Sequence, residues 1–172
     1  MRILIFVEGK WDKEFAERIL TPLFKRKYRN SEVNVRTFSN TKKELIATQV
    51  NWFENKGLWA FIADHDKHRS QCIQSRREEL RKTYSLPSIT PICLAVREIE
   101  DWYSLGITQK TAERLAIPDW QEGKLLGKDF FENHSKSEIV LRAEILNGYS
   151  LETAMQSDSF RYFIDKYGLI DM

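Results

Sequence analysis

The chain of 172 residues is 42% hydrophobic and 30% charged, which supplies a packed core, and its seven Gly and four Pro exclude collagen-like or linker-dominated classes. No apolar run approaches the roughly 18 to 20 residues of a membrane span, and the opening MRILIFVEGK lacks the apolar core of about 7 to 15 residues and the cleavage site of a signal peptide. A soluble cytoplasmic protein with Cys72 and Cys93 reduced is expected. The net charge of +2 does not by itself indicate an acidic partner, so its distribution matters more.

Arg2 to Val7 is a bounded apolar run of the length and β-branched content of a buried parallel strand. From Asp12 the period changes: Phe15, Ile19, Leu20, Leu23 and Phe24 follow helical spacing, with Asp12 expected as N-cap and Lys25, Arg26 and Lys27 complementing the C-terminal dipole. Val33, Val35 and Phe38 indicate a second strand. A helix over 41–55 follows, carrying Leu45, Ile46, Val50 and Phe53 and closed by Gly57. Leu58 to Ala63 reads as a third buried strand, 70–84 as a polar helix ended by Pro87, and 89–96 as a fourth strand that Pro91 places at or near an edge. Strands alternating with helices at this spacing predict right-handed crossovers and a mostly parallel four-stranded α/β sheet. Beyond Arg97 the strand signal stops. Short helices are expected over 98–105, 108–116, 137–146, 150–155 and 158–167, with 119–129 as the one long loop. The division predicted is an α/β unit over 1–104 and a helical extension, packed on it, over 105–172.

Open parallel sheets gather functional groups beyond the carboxyl ends of their strands. Acids stand at three such ends: Glu8 after the first strand with Asp12 one turn on, Asp64 and Asp66 after the third, and Glu98 and Glu100, with Asp101, after the fourth. An i, i+2 spacing in extended backbone points both side chains one way, so Asp64 with Asp66 can face a common site, as can Glu98 with Glu100 where the strand geometry persists. Convergent carboxylates repel unless a cation neutralises them, and hard oxygen ligands select Mg²⁺ or Mn²⁺ over zinc. Two such ions would suit in-line displacement at a phosphodiester. The competing explanation for Asp12, Glu98 and Asp101 is the helix dipole, which favours acids in a first turn.

Val7-Glu8-Gly9-Lys10-Trp11-Asp12 with Phe15, together with Asp64-His65-Asp66, resembles the two signature motifs of the Toprim superfamily over residues 1–104. Val96 to Trp102 and Ser157 to Phe163 further resemble small stand-alone bacterial Toprim-like proteins related to the OLD-type nucleases. The resemblance implies a Rossmann-like Toprim fold, Glu8 as general acid/base or metal ligand, Asp64 and Asp66 on Mg²⁺, and Glu98 with Glu100 serving a second metal. It implies a metal-dependent nuclease on DNA or RNA, without the strand passage or primase activity that would need further modules for which the chain has no room. It also implies a setting in phage defence or mobile elements, where a neighbouring gene supplies recognition; on the rival, regulatory reading a partner such as an ATPase supplies the catalysis. Where many Toprim domains place a glycine after the second motif, this chain has Lys67, His68 and Arg69.

Lys10, Lys67, Arg69, Arg76 and Arg77 flank the predicted site and could hold a phosphate backbone, with Trp11 able to stack on a base; a solvated helix face is the alternative for Arg76 and Arg77. His65 and His68 lack a further nitrogen or sulfur ligand for zinc, and His134 lies in a polar stretch as an expected surface residue. No Ser/His/Asp triad, P-loop or dinucleotide fingerprint can be assembled. The rival to a nuclease is a non-catalytic or partner-dependent regulatory, nucleic-acid-binding module. A receiver-like phosphoacceptor is disfavoured, because the first strand is followed by one acid and the last by no lysine.

Overall fold

The computed structural model describes residues 1–53, 56–65, 72–88, 91–95 and 98–170. Four strands, β1 (Arg2–Val7), β2 (Glu32–Thr37), β3 (Gly57–Asp64) and β4 (Ile92–Ala95), form one parallel sheet in the order β2-β1-β3-β4. This is the α/β architecture expected, with Pro91 entering an edge strand. The helices are α1 (Lys10–Phe15), α2 (Thr21–Lys27), α3 (Lys43–Phe53), α4 (Ile73–Tyr84), α5 (Ile99–Leu105), α6 (Gln109–Arg114), α7 (Lys128–Asn133), α8 (Glu138–Asn147), α9 (Leu151–Ala154) and α10 (Asp158–Tyr167). Among the described residues no helix is long and apolar enough to cross a membrane. Cys72 is exposed, Cys93 is buried in β4, and both are free.

The pleat sorts β1 between two cores, which is why it reads as an unbroken apolar run. Ile3, Ile5 and Val7 face α1, α2 and the C-terminal helices, whereas Leu4 and Phe6 face Ile46, Val50 and Phe53 of α3 and Leu80 of α4. The segment after residue 104 packs on the α1–α2 face. Phe15 is its hub, with ring centroids 5.9 Å from Trp102, 5.2 Å from Tyr103, 5.5 Å from Tyr149 and 6.2 Å from Phe160. The polar tips of these rings are satisfied as burial requires: Trp102 Nε1 donates to Ser159 Oγ (2.8 Å), Tyr149 Oη to the Trp102 carbonyl (2.8 Å) and Tyr167 Oη to the Trp59 carbonyl of β3 (2.9 Å).

Several boundaries differ from the sequence reading for local reasons. Gly9, not Asp12, is the N-cap of α1; Asp12 is the third residue of the helix and its Oδ2 accepts the Gly9 N–H at 3.1 Å. The helix from Lys10 is not continuous, because Ala16–Leu20 forms a π turn in which the Thr21 N–H returns to the Ala16 carbonyl. Pro22 follows at the start of α2 and has no N–H to offer the preceding turn, so the wider turn takes up the mismatch. Gly57 does not close α3 but begins β3. A Cβ there would stand 2.3 Å from the Arg2 carbonyl oxygen of the neighbouring strand. Gly57→Ala is therefore expected to cost about 1–3 kcal/mol, read as a lower urea midpoint, because backbone rather than a flexible side chain must move.

The expected loop over 119–129 ends in α7, which starts at Lys128 with Gly127 as N-cap and buries Phe131. His134 is not an idle surface residue either. Its Nδ1 accepts the Lys136 N–H at 3.0 Å, which leaves Nε2 to donate to the Leu115 carbonyl at 3.2 Å, tying the end of α7 to the end of α6.

Candidate active site

Because β1 leads to β2 on one side while β3 leads to β4 on the other, the chain diverges at the carboxyl ends of β1 and β3 and leaves a crevice there. Glu8 leaves β1 at this point and Asp64 ends β3. The Asp64 N–H donates to Glu8 Oε2 at 3.3 Å, so the glutamate reaches across the crevice to the neighbouring strand.

A cleft of about 290 Å³ opens beside this pair. The start of α1 supplies Lys10, Trp11 and Asp12, β3 supplies Asp64, and the start of α5 supplies Glu98 and Glu100. Glu98 and Glu100 share the cleft, but extended backbone stops at Glu98 and does not persist to Glu100. Glu98 is the N-cap of α5 and Glu100 lies in its first turn, so helix geometry replaces the strand geometry expected beyond Glu98. The opposite wall comes from Lys128 and Glu132 of α7 and Glu138 of α8. Lys128 pairs with Glu132 at 3.5 Å, and Lys10 Nζ lies 4.3 Å from the centroid of the Trp11 ring.

The electrostatics are those of crowded carboxylates. Asp12 is nearly buried, and burial, ahead of the charges of Glu8 and Glu100, pushes its carboxyl up to about 6 against two backbone hydrogen bonds that favour the ionised form. Asp64 is pushed up to about 9 by burial first and then by Asp12, Glu8 and Glu100, with the Ile99 N–H opposing. Asp12 Oδ1 and Asp64 Oδ1 are both buried without a hydrogen-bond partner. Two orphaned carboxylate oxygens in one acidic cleft are what a missing positive group would satisfy.

One cation is already built in behind the cleft. Arg142 of α8 is fully buried, its Nη2 lying 2.5 Å from Glu100 Oε1 and 2.8 Å from Glu138 Oε1, with Nε donating to Glu138 at 3.0 Å. The guanidinium carbon stands 4.8, 4.9 and 4.3 Å from the ring centroids of Trp11, Tyr103 and Phe131. Aromatic faces thus replace water around a desolvated charge. The pair restrains Glu100, one of whose oxygens is committed to Arg142 rather than to the cleft.

The predicted residues Glu8, Lys10, Asp12, Asp64, Glu98 and Glu100 are thus brought to one place. Asp66, Lys67 and Arg69 lie outside the described residues. Arg76 and Arg77 do not line the cleft: Arg76 is nearly buried on α4 and pairs with Glu79 at 3.0 Å, and Arg77 lies 5.1 Å over the Tyr162 ring of α10. Among the described residues no three His, Cys, Asp or Glu side chains stand together at metal-ligand spacing. Sequence reasoning missed Arg142, Glu138, Lys128 and Glu132. The signal for the first two was an arginine on the apolar face of α8, between Leu141 and Ile145, with an acid four residues before it. A larger groove, about 470 Å³, lies along β2 and among its described lining residues holds no converging carboxylates, so volume and chemistry point to different places and the chemistry decides.

Comparison of the chain with models of protein families, with curated proteins and with solved structures finds no match.

Proposed function

We propose that the chain is a Mg²⁺- or Mn²⁺-dependent phosphodiester hydrolase acting on DNA or RNA, with the acidic cleft as its active site. The observation that carries this reading is the pair of buried, partnerless oxygens, Asp12 Oδ1 and Asp64 Oδ1, at the crevice where the sheet connections diverge. Among the described residues that line the cleft, the donors are carboxylates without sulfur or imidazole nitrogen, which fits a hard divalent cation. Asp12 and Asp64 would hold it, with Asp66 joining them by the Toprim resemblance and Glu98 and the free oxygen of Glu100 available to a second ion. When bound, the cation supplies neutralisation of phosphoryl charge and a more acidic water.

The chain's own groups do the remainder. On this reading Glu8, at the end of β1, takes a proton from the attacking water. Lys10 and Lys128 stand at the cleft to meet phosphate oxygens, and Lys67 and Arg69, which follow the Asp64–Asp66 motif in sequence, are proposed for the same part. The biological setting proposed is cytoplasmic, in a phage-defence or mobile-element system.

The test is incubation of the purified chain with end-labelled single-stranded and duplex DNA and RNA in Mg²⁺, Mn²⁺ or EDTA. Cleavage that requires the cation is expected. A specific observation favours a second reading, because Arg142 already engages Glu100 and the described residues hold no complete three-ligand set. On that reading the module is partner-dependent or regulatory, working with a protein such as an ATPase. It would be chosen if no substrate is cut by a chain that still gains thermal stability on adding Mg²⁺.

A further inference from the structure

On the α3 side of the sheet, β1 presents Leu4 and Phe6, but the in-register positions of the edge strand β2 are Asn34 and Arg36, with Glu32 before them. The sheet face is left open there. The resulting groove, about 470 Å³, runs between β2 and Gln49 and Trp52 of α3, and continues past Arg2 and Trp52 to Lys56 at the amino ends of the strands.

Three features of this groove ask for different things of a ligand. Trp52 is 42% exposed, an unusual position for the largest aromatic side chain, and two cations flank its ring: the Arg2 guanidinium at 5.3 Å and Lys56 Nζ at 4.9 Å from the centroid. Among the described lining residues, Arg2, Arg36 and Lys56 outnumber the carboxylates, of which there is one, Glu32, already facing Arg2 at 3.5 Å. Gln49 Oε1 is buried and has no hydrogen-bond partner, so it calls for an N–H donor. A flat π face, negative charge and an N–H donor occur together in a nucleotide. An acidic peptide added to the edge of β2 would supply charge and backbone N–H groups but no use for an exposed tryptophan face.

We infer that the β2–α3 groove binds a single-stranded nucleic acid, with a base stacked on Trp52, that base's amino group donating to Gln49, and phosphates on Arg2, Lys56 and Arg36. The six residues of β2 extend the groove by about 17 Å. Its far end approaches the cleft, since the Ser39 N–H just past β2 donates to the Glu8 carbonyl at 3.3 Å. The strand would run from Trp52 toward the acidic cleft, although binding in the groove does not rest on the cleft's chemistry.

The experiment is fluorescence anisotropy of a fluorescein-labelled, mixed-sequence single-stranded oligonucleotide with the full chain in EDTA, so that failure of the hydrolase reading leaves this measurement standing. Trp52→Ala is expected to weaken binding about ten- to a hundredfold and Trp52→Phe to restore most of it. Arg36→Ala and Lys56→Ala should each lower the slope of log affinity against log salt by about 0.7. Circular dichroism checks that each variant is folded, as the exposure of these side chains leads one to expect. Affinity unchanged in Trp52→Ala, no binding of any strand, duplex bound as tightly as single strand with the same dependence on Trp52, or tighter Trp52-dependent binding of a labelled oligoglutamate peptide would each overturn the inference.

Discussion

Asp64→Asn is expected to abolish cation-dependent phosphodiester cleavage and, in the same protein, to stabilise the metal-free fold at pH 8. The amide keeps the shape of the side chain but cannot carry the charge that would hold a divalent cation. The stability effect follows from the direction of the shift. Asp64 is raised in the folded chain to about 9 from an ordinary 3.8, and Asp12 to about 6, so between these limits the folded state binds protons that the unfolded state has released. Stability conferred by protonation is present below pH 4 and is lost as pH rises through the folded values, so the metal-free chain should weaken steadily from acid to alkaline conditions. The asparagine variant lacks the Asp64 part of that slope. It should exceed the parent at pH 8 by at least the about 1.4 kcal/mol that one pKa unit represents.

Urea unfolding in EDTA at acid and alkaline pH measures this directly, and Mg²⁺ should reverse the trend in the parent. A cation at a hundred times its dissociation constant adds about 2.7 kcal/mol. Its effect should grow with pH, because the carboxyls must lose their protons to bind it. Retained cleavage in Asp64→Asn, or a parent-like pH slope, would count against the assignment of this residue.

Arg142→Ala should be the most destabilising single substitution in the cleft wall, costing about 3–5 kcal/mol. The loss has two parts. Glu100, nearly buried, and Glu138 would keep their charges with no partner, and the space among Trp11, Tyr103 and Phe131 would be left unfilled. Arg142→Lys restores the charge but not the planar fork that reaches both carboxylates, so it should recover only part of the loss. Adding Glu100→Gln to Arg142→Ala should recover some stability, because it removes one of the stranded charges. Denaturant midpoints of the four chains test this; a cost below about 1 kcal/mol for Arg142→Ala would mean that the buried pair is close to neutral for the fold.

What could be read in advance followed from how local each signal is. The apolar runs of β1 and β3 and the spacing of α10 carry their structure in their own residues, and α10 spans 158–167 as expected. Glu8 and Asp64 were legible as a pair because parallel topology alone brings the ends of β1 and β3 together. The remainder depended on contacts distant in sequence. Gly57 looks like a helix stop until the Arg2 carbonyl is placed beside it. Asp12 suits an N-cap equally well until Gly9 is seen to begin the helix. Glu98 and Glu100 follow the last strand, as the sequence order implies, but the i, i+2 spacing does not hold them in one extended segment, because α5 begins between them. The spacing of Glu138 and Arg142 is visible, yet its meaning lies in α8 meeting Trp11, Tyr103 and Phe131, which no local pattern encodes.

The way α10 closes the sheet has a consequence for the chain's synthesis. Phe160 and Phe163 cover the core that includes Ile3 and Ile5, and Tyr167 fastens to the carbonyl of Trp59, so the first strand waits for some of the last residues described. At about 5–20 residues per second on a ribosome, that face stays uncovered for roughly ten to thirty seconds. A nascent chain holding an uncovered apolar sheet face for so long is a natural client for holdases, and its refolding yield in vitro should fall as its concentration is raised.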